Sequence, residues 1–367
     1  MKFTVSQSSL TQAIGVVMKG VASASTLPIL SGVLVKAQDG ILEFQTSNYT
    51  ISIRHRIAAH VEEEGEMVIP CKMLSNITKT LPDAPVTFEL SERQVLIGCE
   101  KSSFRLNTLD ANDFPEFPAY AIESAVGLPT DVLSEMVGRV WRVTSTDKAR
   151  PILGGVHMKV ENNTVRLVAT DSFRLAVCDT QVETSTLEGS FELNVPADAF
   201  NDALNIMASQ ATIMIGATDT QVVFEAGNTT YVSRRIEGVY PNYKQLIPDS
   251  CVTSVKIDVA AFNAALKRVA VIASANPAVK FEIDVENGQM GLSSISNDQD
   301  LAQETIDVEA EGESGTIAFN YHYIFGCLNA LSKEKEITLE LKSYSQAGIF
   351  KSYDKINYLY LVMPVRI

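Results

Sequence analysis

One pattern occurs three times along these 367 residues, with a period of about 120 to 126. A copy of that length is a whole domain, so the chain has to fold as three similar units in series. Each copy opens with a short strand and a one-sided helix. Phe3-Thr4-Val5 leads into a helix carrying Leu10, Ala13, Ile14, Val17 and Met18. Leu128 leads into one carrying Val132, Leu133, Met136, Val137, Val140 and Trp141. Val255-Lys256-Ile257 leads into one carrying Phe262, Ala265, Leu266, Val269 and Ala270. The i, i+3, i+4, i+7 spacing marks an amphipathic helix with one face in a core. Ser6, Thr130 or Asp131, and Asp258 are placed to cap these helices.

The second shared feature follows at once. Leu27-Pro28-Ile29-Leu30 recurs as Arg150-Pro151-Ile152-Leu153, each before two alternating strands joined by a polar turn, Gln38-Asp39-Gly40 or Glu161-Asn162-Asn163. The third copy keeps the hairpin around Glu286-Asn287-Gly288 and lacks the Leu-Pro-Ile-Leu box. The third feature is another strand-to-helix step. Met67 to Pro70 opens a helix with Met73, Leu74, Ile77 and Leu81, and Leu193 to Pro196 opens one with Ala199, Phe200, Ala203, Leu204 and Met207. Ile317 to Asn320 opens one with Tyr323, Ile324, Cys327, Leu328 and Leu331. Alternating strands follow each helix. The fold class is therefore α+β: three repeated domains, each of two helices packed on antiparallel sheets. The boundaries are placed at 1–122, 123–249 and 250–367, and the short joins, neither Gly- nor Ser-rich, predict rigid connection.

Chemistry-bearing motifs are missing from this sequence. There is no phosphate-binding loop, nucleophile elbow or paired-histidine metal helix. His55, His60, His157 and His322 are scattered, and the five cysteines are odd in number and never arranged as C-x-x-C, which argues against disulfides and structural zinc. Asn297-Asp298-Gln299-Asp300 lacks the glycine and terminal glutamate of a calcium loop. Thr170-Asp171-Ser172 has no general base beside it in sequence. No cofactor and no metal are expected. The N-terminus lacks an export signal and no apolar run is long enough to span a bilayer, so a cytoplasmic, nucleoid-associated location and no membrane partner are expected.

The boxes Met1-Lys2-Phe3, Leu27-Pro28-Ile29-Leu30, Asp113-Phe114-Pro115, Ala169-Thr170-Asp171, Arg174 to Val177, Tyr240-Pro241-Asn242-Tyr243 and Val362-Met363-Pro364-Val365-Arg366-Ile367 lie in this order along the whole chain. In them the chain resembles the bacterial DNA polymerase III beta-subunit family, the sliding clamps that act as processivity factors. The resemblance implies that each unit is a DNA-clamp domain and that the chain forms half of a six-domain ring. As a homodimer it would encircle double-stranded DNA without sequence preference. It also implies partners that dock through short linear motifs: the polymerase III alpha subunit, the clamp loader, and other polymerases and repair proteins.

A net charge of −14 opposes DNA binding unless the basic groups are local. The helix positions offer Lys19, Lys72, Lys79, Arg139, Arg142, Lys267 and Arg268, with Lys148 and Arg150 just after a helix. Each is equally readable as an ordinary exposed cation. The segment from Phe281 to Ser332 holds ten acidic residues and no Lys or Arg. It is either a solvated face or a docking surface for a basic patch.

By resemblance, a peptide-binding groove would use Leu153, Thr170, Ser172, Phe173, Arg174, Leu175, Pro241, Gln245, Leu246, Leu361, Met363, Pro364, Val365 and Arg366. Without it, Leu361 to Pro364 reads only as a final strand. Ser172-Phe173 stands where the family more often has Gly then His or Tyr, and Gln245 where Arg is frequent. The dimer contact implied is Phe104 and Leu106 of the first domain on Val271 and Ile272 of the third, with Asp298 to Glu304 facing Lys101 or Arg105. Phe104 and Leu106 read equally well as core. Two other functions stay open on residues alone: a cytoplasmic enzyme with a dispersed site, and a repeat-built protein scaffold.

Overall fold

In a computed structural model of the chain, the described residues are 1–22, 27–120, 124–182, 190–274, 277–295 and 300–366. Thr26, Asn297-Asp298-Gln299, the first proposed domain join at 122/123 and the terminal Ile367 lie outside them. Among the described residues there are six α-helices, two per repeat: α1 (Gln7–Val17), α2 (Cys71–Thr80), α3 (Thr130–Val140), α4 (Ala197–Ile206), α5 (Val259–Ala270) and α6 (Tyr321–Ala330). None is long and apolar enough to cross a membrane.

The helices form where the apolar spacing placed them. Leu10, Ala13, Ile14 and Val17 of α1 are buried, as are Leu133, Met136, Val137 and Val140 of α3 and Phe262, Ala265, Leu266 and Val269 of α5. Ser6 caps α1 by accepting the Ser9 N–H at 3.2 Å, and Asp258 caps α5 by accepting the Ala261 N–H at 2.8 Å. The expected caps of α3 differ: Thr130 is already helical, and its N–H donates to the Ala211 carbonyl at 3.0 Å, so it and Asp131 sit in the first turn. In α2 the buried stripe is Cys71, Leu74, Ser75 and Thr78, which turns Met73 outward to 51% exposure. The Thr78 carbonyl accepts from Gln7 Nε2 at 2.6 Å and Thr11 Oγ1 at 3.3 Å, so polar bonds to α1 set the rotation of α2.

The Leu-Pro-Ile-Leu boxes are one-turn 3₁₀ segments, Pro28–Ser31 and Pro151–Gly154, each starting on its proline. Each feeds a strand, Gly32–Gln38 or Gly155–Glu161. The turns after those strands are left-handed at both central positions, Asp39 and Gly40 at φ 51° and 74°, Asn162 and Asn163 at 49° and 60°. That is the two-residue hairpin geometry which glycine, asparagine and aspartate tolerate.

Among the described residues the strands make four antiparallel sheets in two compact units. One unit is mainly Met1–Asp131 with Asp202–Arg235 and holds a five-stranded and an eight-stranded sheet. The other, mainly from Val132 and from Ile236 onward, holds a nine-stranded and a four-stranded sheet. The units do not follow the repeats, because strands from neighbouring repeats pair. Within the first unit, Ile51–Ala58 pairs with Thr229–Arg234. Within the second, Arg174–Gln181 pairs with Asn357–Val362, the last strand described. Backbone bonds thus make a continuous sheet where the sequence shows only a join between domains.

Candidate functional site

The seam between Arg174–Gln181 and Asn357–Val362 positions the groove. Side chains alternate across a sheet, so Leu175 and Leu361, which face each other in register, share one face, and so do Val177 and Leu359 one step along. Ile349 from the next strand, opposite Leu361, and Val168 from the preceding one complete an apolar floor. Tyr240 lies in the same cluster, and Ile152, Tyr243 and Ile247 pack on it. Tyr240 is fixed by stacking on His157 at 4.8 Å, and burial pushes its phenol above the ordinary range. A depression of about 280 Å³ continues the strip past Val177 and Leu359, between Ile247 and Tyr353.

The expected groove residues divide into floor and rim. Leu153, Thr170, Leu175 and Leu361 are buried. Phe173, Leu246 and Met363 are large apolar side chains left 57%, 53% and 47% exposed. Ser172, Pro241, Gln245 and Arg366 are exposed, while Arg174, Pro364 and Val365 are half-buried. The Met363 N–H donates to the Phe173 carbonyl at 2.9 Å, and the Val365 N–H to the Ala318 carbonyl at 2.9 Å, so the tail is held against the loop before Arg174–Gln181 and then against the strand Gly315–Asn320. Three exposed apolar side chains beside an apolar floor form a surface suited to leucine or phenylalanine anchors from an extended peptide.

Residues 170–174 form a braced lip. Thr170 Oγ1 accepts the Ser172 N–H at 3.1 Å and donates to the Arg174 carbonyl at 2.7 Å. Asp171 Oδ1 accepts the N–H groups of Phe173 and Arg174 at 2.9 and 3.0 Å. The Arg174 guanidinium donates to Asp171 Oδ2 at 2.9 Å, the Tyr360 hydroxyl at 3.3 Å and the Arg142 carbonyl at 2.9 Å, and lies 4.8 Å from the centre of the Tyr323 ring. Burial works against its charge, and Tyr360 and Asp171 outweigh that, holding its pKa above the usual arginine value. The Phe173 ring stacks on Tyr323 at 6.5 Å. Sequence reasoning did not place Tyr243, Ile247, Tyr323 or Ile349 here. Tyr243 was visible as part of the Tyr240-Pro241-Asn242-Tyr243 box, and Ile349 only as one position of an alternating strand.

The basic residues do not behave alike. Lys72 and Lys79 on α2, Arg142 and Lys148 after α3, and Lys267 on α5 are exposed. Among the described residues none of these five is paired with a carboxylate at bonding distance. Lys19 is exposed but bonds Asp202 at 2.9 Å, and Arg268 holds Glu304 through two bonds of 2.7 and 2.8 Å. Arg150 is bound to Asp147 at 3.0 Å and Ser172 at 2.6 Å. Arg139 contradicts the expectation of a DNA contact. It is 7% exposed and bonds Glu135 and Glu334, each at 2.8 Å, because its position on α3 points inward between Val140 and Met136.

Phe104 and Leu106 are half-buried on Ser102–Asn107, an edge strand of the five-stranded sheet. Val271, 72% exposed, and Ile272, half-buried, follow α5 in the other unit, whose four-stranded sheet ends at the edge strand Leu301–Asp307. Glu304 on that strand belongs to Arg268, and Asp298 lies outside the described residues.

Comparison with known proteins accounts for the chain from one end to the other. Family models for the DNA polymerase III beta subunit match in series: the N-terminal domain at residues 1–118, the central domain at 127–242 and the C-terminal domain at 244–366. A beta sliding clamp of Synechococcus elongatus is 32% identical over 374 residues, covering all of both chains. That of Bacillus subtilis is 29% identical over 386 residues, again covering all of both. The crystal structure of the Bacillus subtilis DNA polymerase sliding clamp superposes with a TM-score of 0.92 at 30% identity, covering 100% of this chain and 99% of that one. A Pseudomonas aeruginosa clamp solved with griselimycin bound shares the fold, with a TM-score of 0.93 at 24% identity and full coverage of both chains.

Proposed function

The chain belongs to the DNA polymerase III beta-subunit family, and from that premise we propose how its residues serve a DNA sliding clamp. Its three domains, divided near 122/123 and 249/250, are each one clamp unit. Two chains close head to tail into a six-domain ring around duplex DNA in the cytoplasm, at the nucleoid. The protein works without catalysis: the ring stays on DNA because it is closed, and weak phosphate contacts let it slide. Three clamp-family domains in series from residue 1 to residue 366 carry this reading.

Within it, Lys72, Lys79, Arg142, Lys148 and Lys267 face the phosphates, since a cation already bonded to a carboxylate releases fewer counterions from DNA. Lys19 and Arg268 take part only by exchanging Asp202 and Glu304 for phosphate. The surplus of acidic residues elsewhere discourages DNA from other surfaces. The dimer forms as Ser102–Asn107 and Leu301–Asp307, both edge strands, meet across the two-fold with Phe104 and Leu106 near Val271 and Ile272. An unpaired edge is a ready template for a partner strand.

The apolar strip over Leu175 and Leu361, rimmed by Phe173, Leu246 and Met363, takes the linear motifs of the polymerase alpha subunit, the clamp loader, and other polymerases and repair proteins. Griselimycin, which a Pseudomonas aeruginosa relative binds, takes this strip here. Loading onto nicked circular DNA by a clamp loader tests the whole reading. The chain is retained on the circle and lost when the circle is cut. Loss from intact circles at the same rate as from linear DNA would refute it.

A further inference from the structure

Ser172 combines three features that are unusual together. It is exposed at the tip of the lip, its backbone is left-handed at φ 80°, and it is not glycine. That conformation crowds the Cβ of any L-residue, so a serine holds it only where neighbours over-determine the turn. The neighbours are on both sides. Thr170 and Asp171 take the N–H groups of Ser172, Phe173 and Arg174 from within the turn. From outside, Arg150 Nη1 donates to Ser172 Oγ at 2.6 Å, while its Nε is anchored on Asp147 at 3.0 Å. Asp147 is itself fixed, because its carboxylate accepts the Ala149 N–H at 2.9 Å, and that bond with the Arg150 bond holds its pKa below the usual aspartate range.

Building on the groove reading above, we propose that Arg150 is a positioning residue of the groove, and that it acts through Ser172. The clasp Asp147–Arg150–Ser172 locks the lip in its left-handed turn and so fixes Phe173 against Tyr323 as one wall for the incoming peptide. Arg150 suits this task because it lies one residue before Pro151, whose ring fixes the backbone leading into the buried Leu153. The Leu153 carbonyl in turn accepts the Ser145 N–H at 2.8 Å, and Arg174 closes the other side by donating to the Arg142 carbonyl. Segment 142–153 and lip 170–174 are therefore one hydrogen-bonded body. A glycine at 172 would reach the same turn without strain, but would offer Arg150 no side chain.

A double-mutant cycle on Arg150 and Ser172 tests this in the full chain, with griselimycin as the probe and affinity and dissociation rate as readouts. Arg150→Ala weakens binding about five-fold, the scale of an exposed charge-assisted hydrogen bond, and speeds dissociation. In a Ser172→Gly background the same change costs less than about two-fold, because the lip no longer depends on the clasp. Arg150→Lys recovers part of the loss, since an ammonium can still donate to Ser172 Oγ. Equal losses in both backgrounds, or no loss from Arg150→Ala alone, would overturn the proposal. If the unmodified chain does not bind griselimycin, the groove reading itself fails and the clasp with it.

Discussion

Replacing Arg139 by methionine separates two roles for a cation that the sequence offers as a DNA contact. Methionine keeps much of the buried stem, so the change removes charge and hydrogen bonds more than volume. In the intact chain one guanidinium nitrogen serves both Glu135 and Glu334, whose side chains are 36% and 15% exposed. Taking the cation away leaves Glu334 nearly buried without its partner. Breaking a buried pair costs about 3–5 kcal/mol, and the exposure of Glu135 argues for the lower end. For a folding unit of this size 1 kcal/mol moves the midpoint by about 2–4 °C, so the melting transition of the unit carrying Arg139 falls by ~6–12 °C. Adding Glu334→Leu recovers part of that loss, since an apolar pair no longer strands a charge. The salt dependence of DNA binding keeps its slope, because Arg139 never reached a phosphate. Calorimetry and a salt titration read the two quantities independently. A midpoint shift below ~2 °C together with a slope reduced by about 1 would mean that Arg139 contacts DNA after all.

Acid should loosen the same contact. Bonding to Arg139 holds the Glu135 carboxyl below the usual glutamate range, so its contribution is full above that range and is lost as pH falls through the lowered value. Melting followed from pH 6 to about 3 shows this as a drop that Arg139→Met removes. Lys72→Glu with Lys79→Glu reduces the salt slope by about 2 and weakens DNA binding with equal effect on all sequences, as measured by titration at several salt concentrations. Deleting Met363–Ile367 abolishes binding of griselimycin and polymerase-derived peptides while the dimer persists, as read by calorimetry and sedimentation. Val271→Asp, which places a charge on a side chain exposed in one copy, splits the dimer in sedimentation at micromolar concentration.

The sequence disclosed what repeats and what alternates. The period of 3.6 located the six described helices, since burial of a face imposes it directly, whereas the groove strand carrying Leu175 was marked only by a family box. Met73 escaped because the stripe of α2 runs through Ser75 and Thr78, polar residues that α1 satisfies. Arg139 escaped because nothing near it in sequence announces Glu334. Lys19 and Arg268 likewise meet carboxylates that only the fold brings near. The pairing of Arg174–Gln181 with Asn357–Val362 was invisible for the same reason: a hydrophobic pattern tells a strand which face to bury, not which distant strand lies beside it. Hence the exposed rim of the groove followed from the family boxes, whereas Tyr323 and Ile349 needed the sheet.

That late pairing constrains how the protein can be born. Synthesis runs from the N-terminus, yet Arg174–Gln181 meets its neighbour only when Asn357–Val362 has emerged. Before those residues emerge, a nascent chain displays a bare β-edge along Arg174–Gln181. Until then the apolar strip over Leu175 lacks Leu361, and this strand is most open to mispairing with a sister chain.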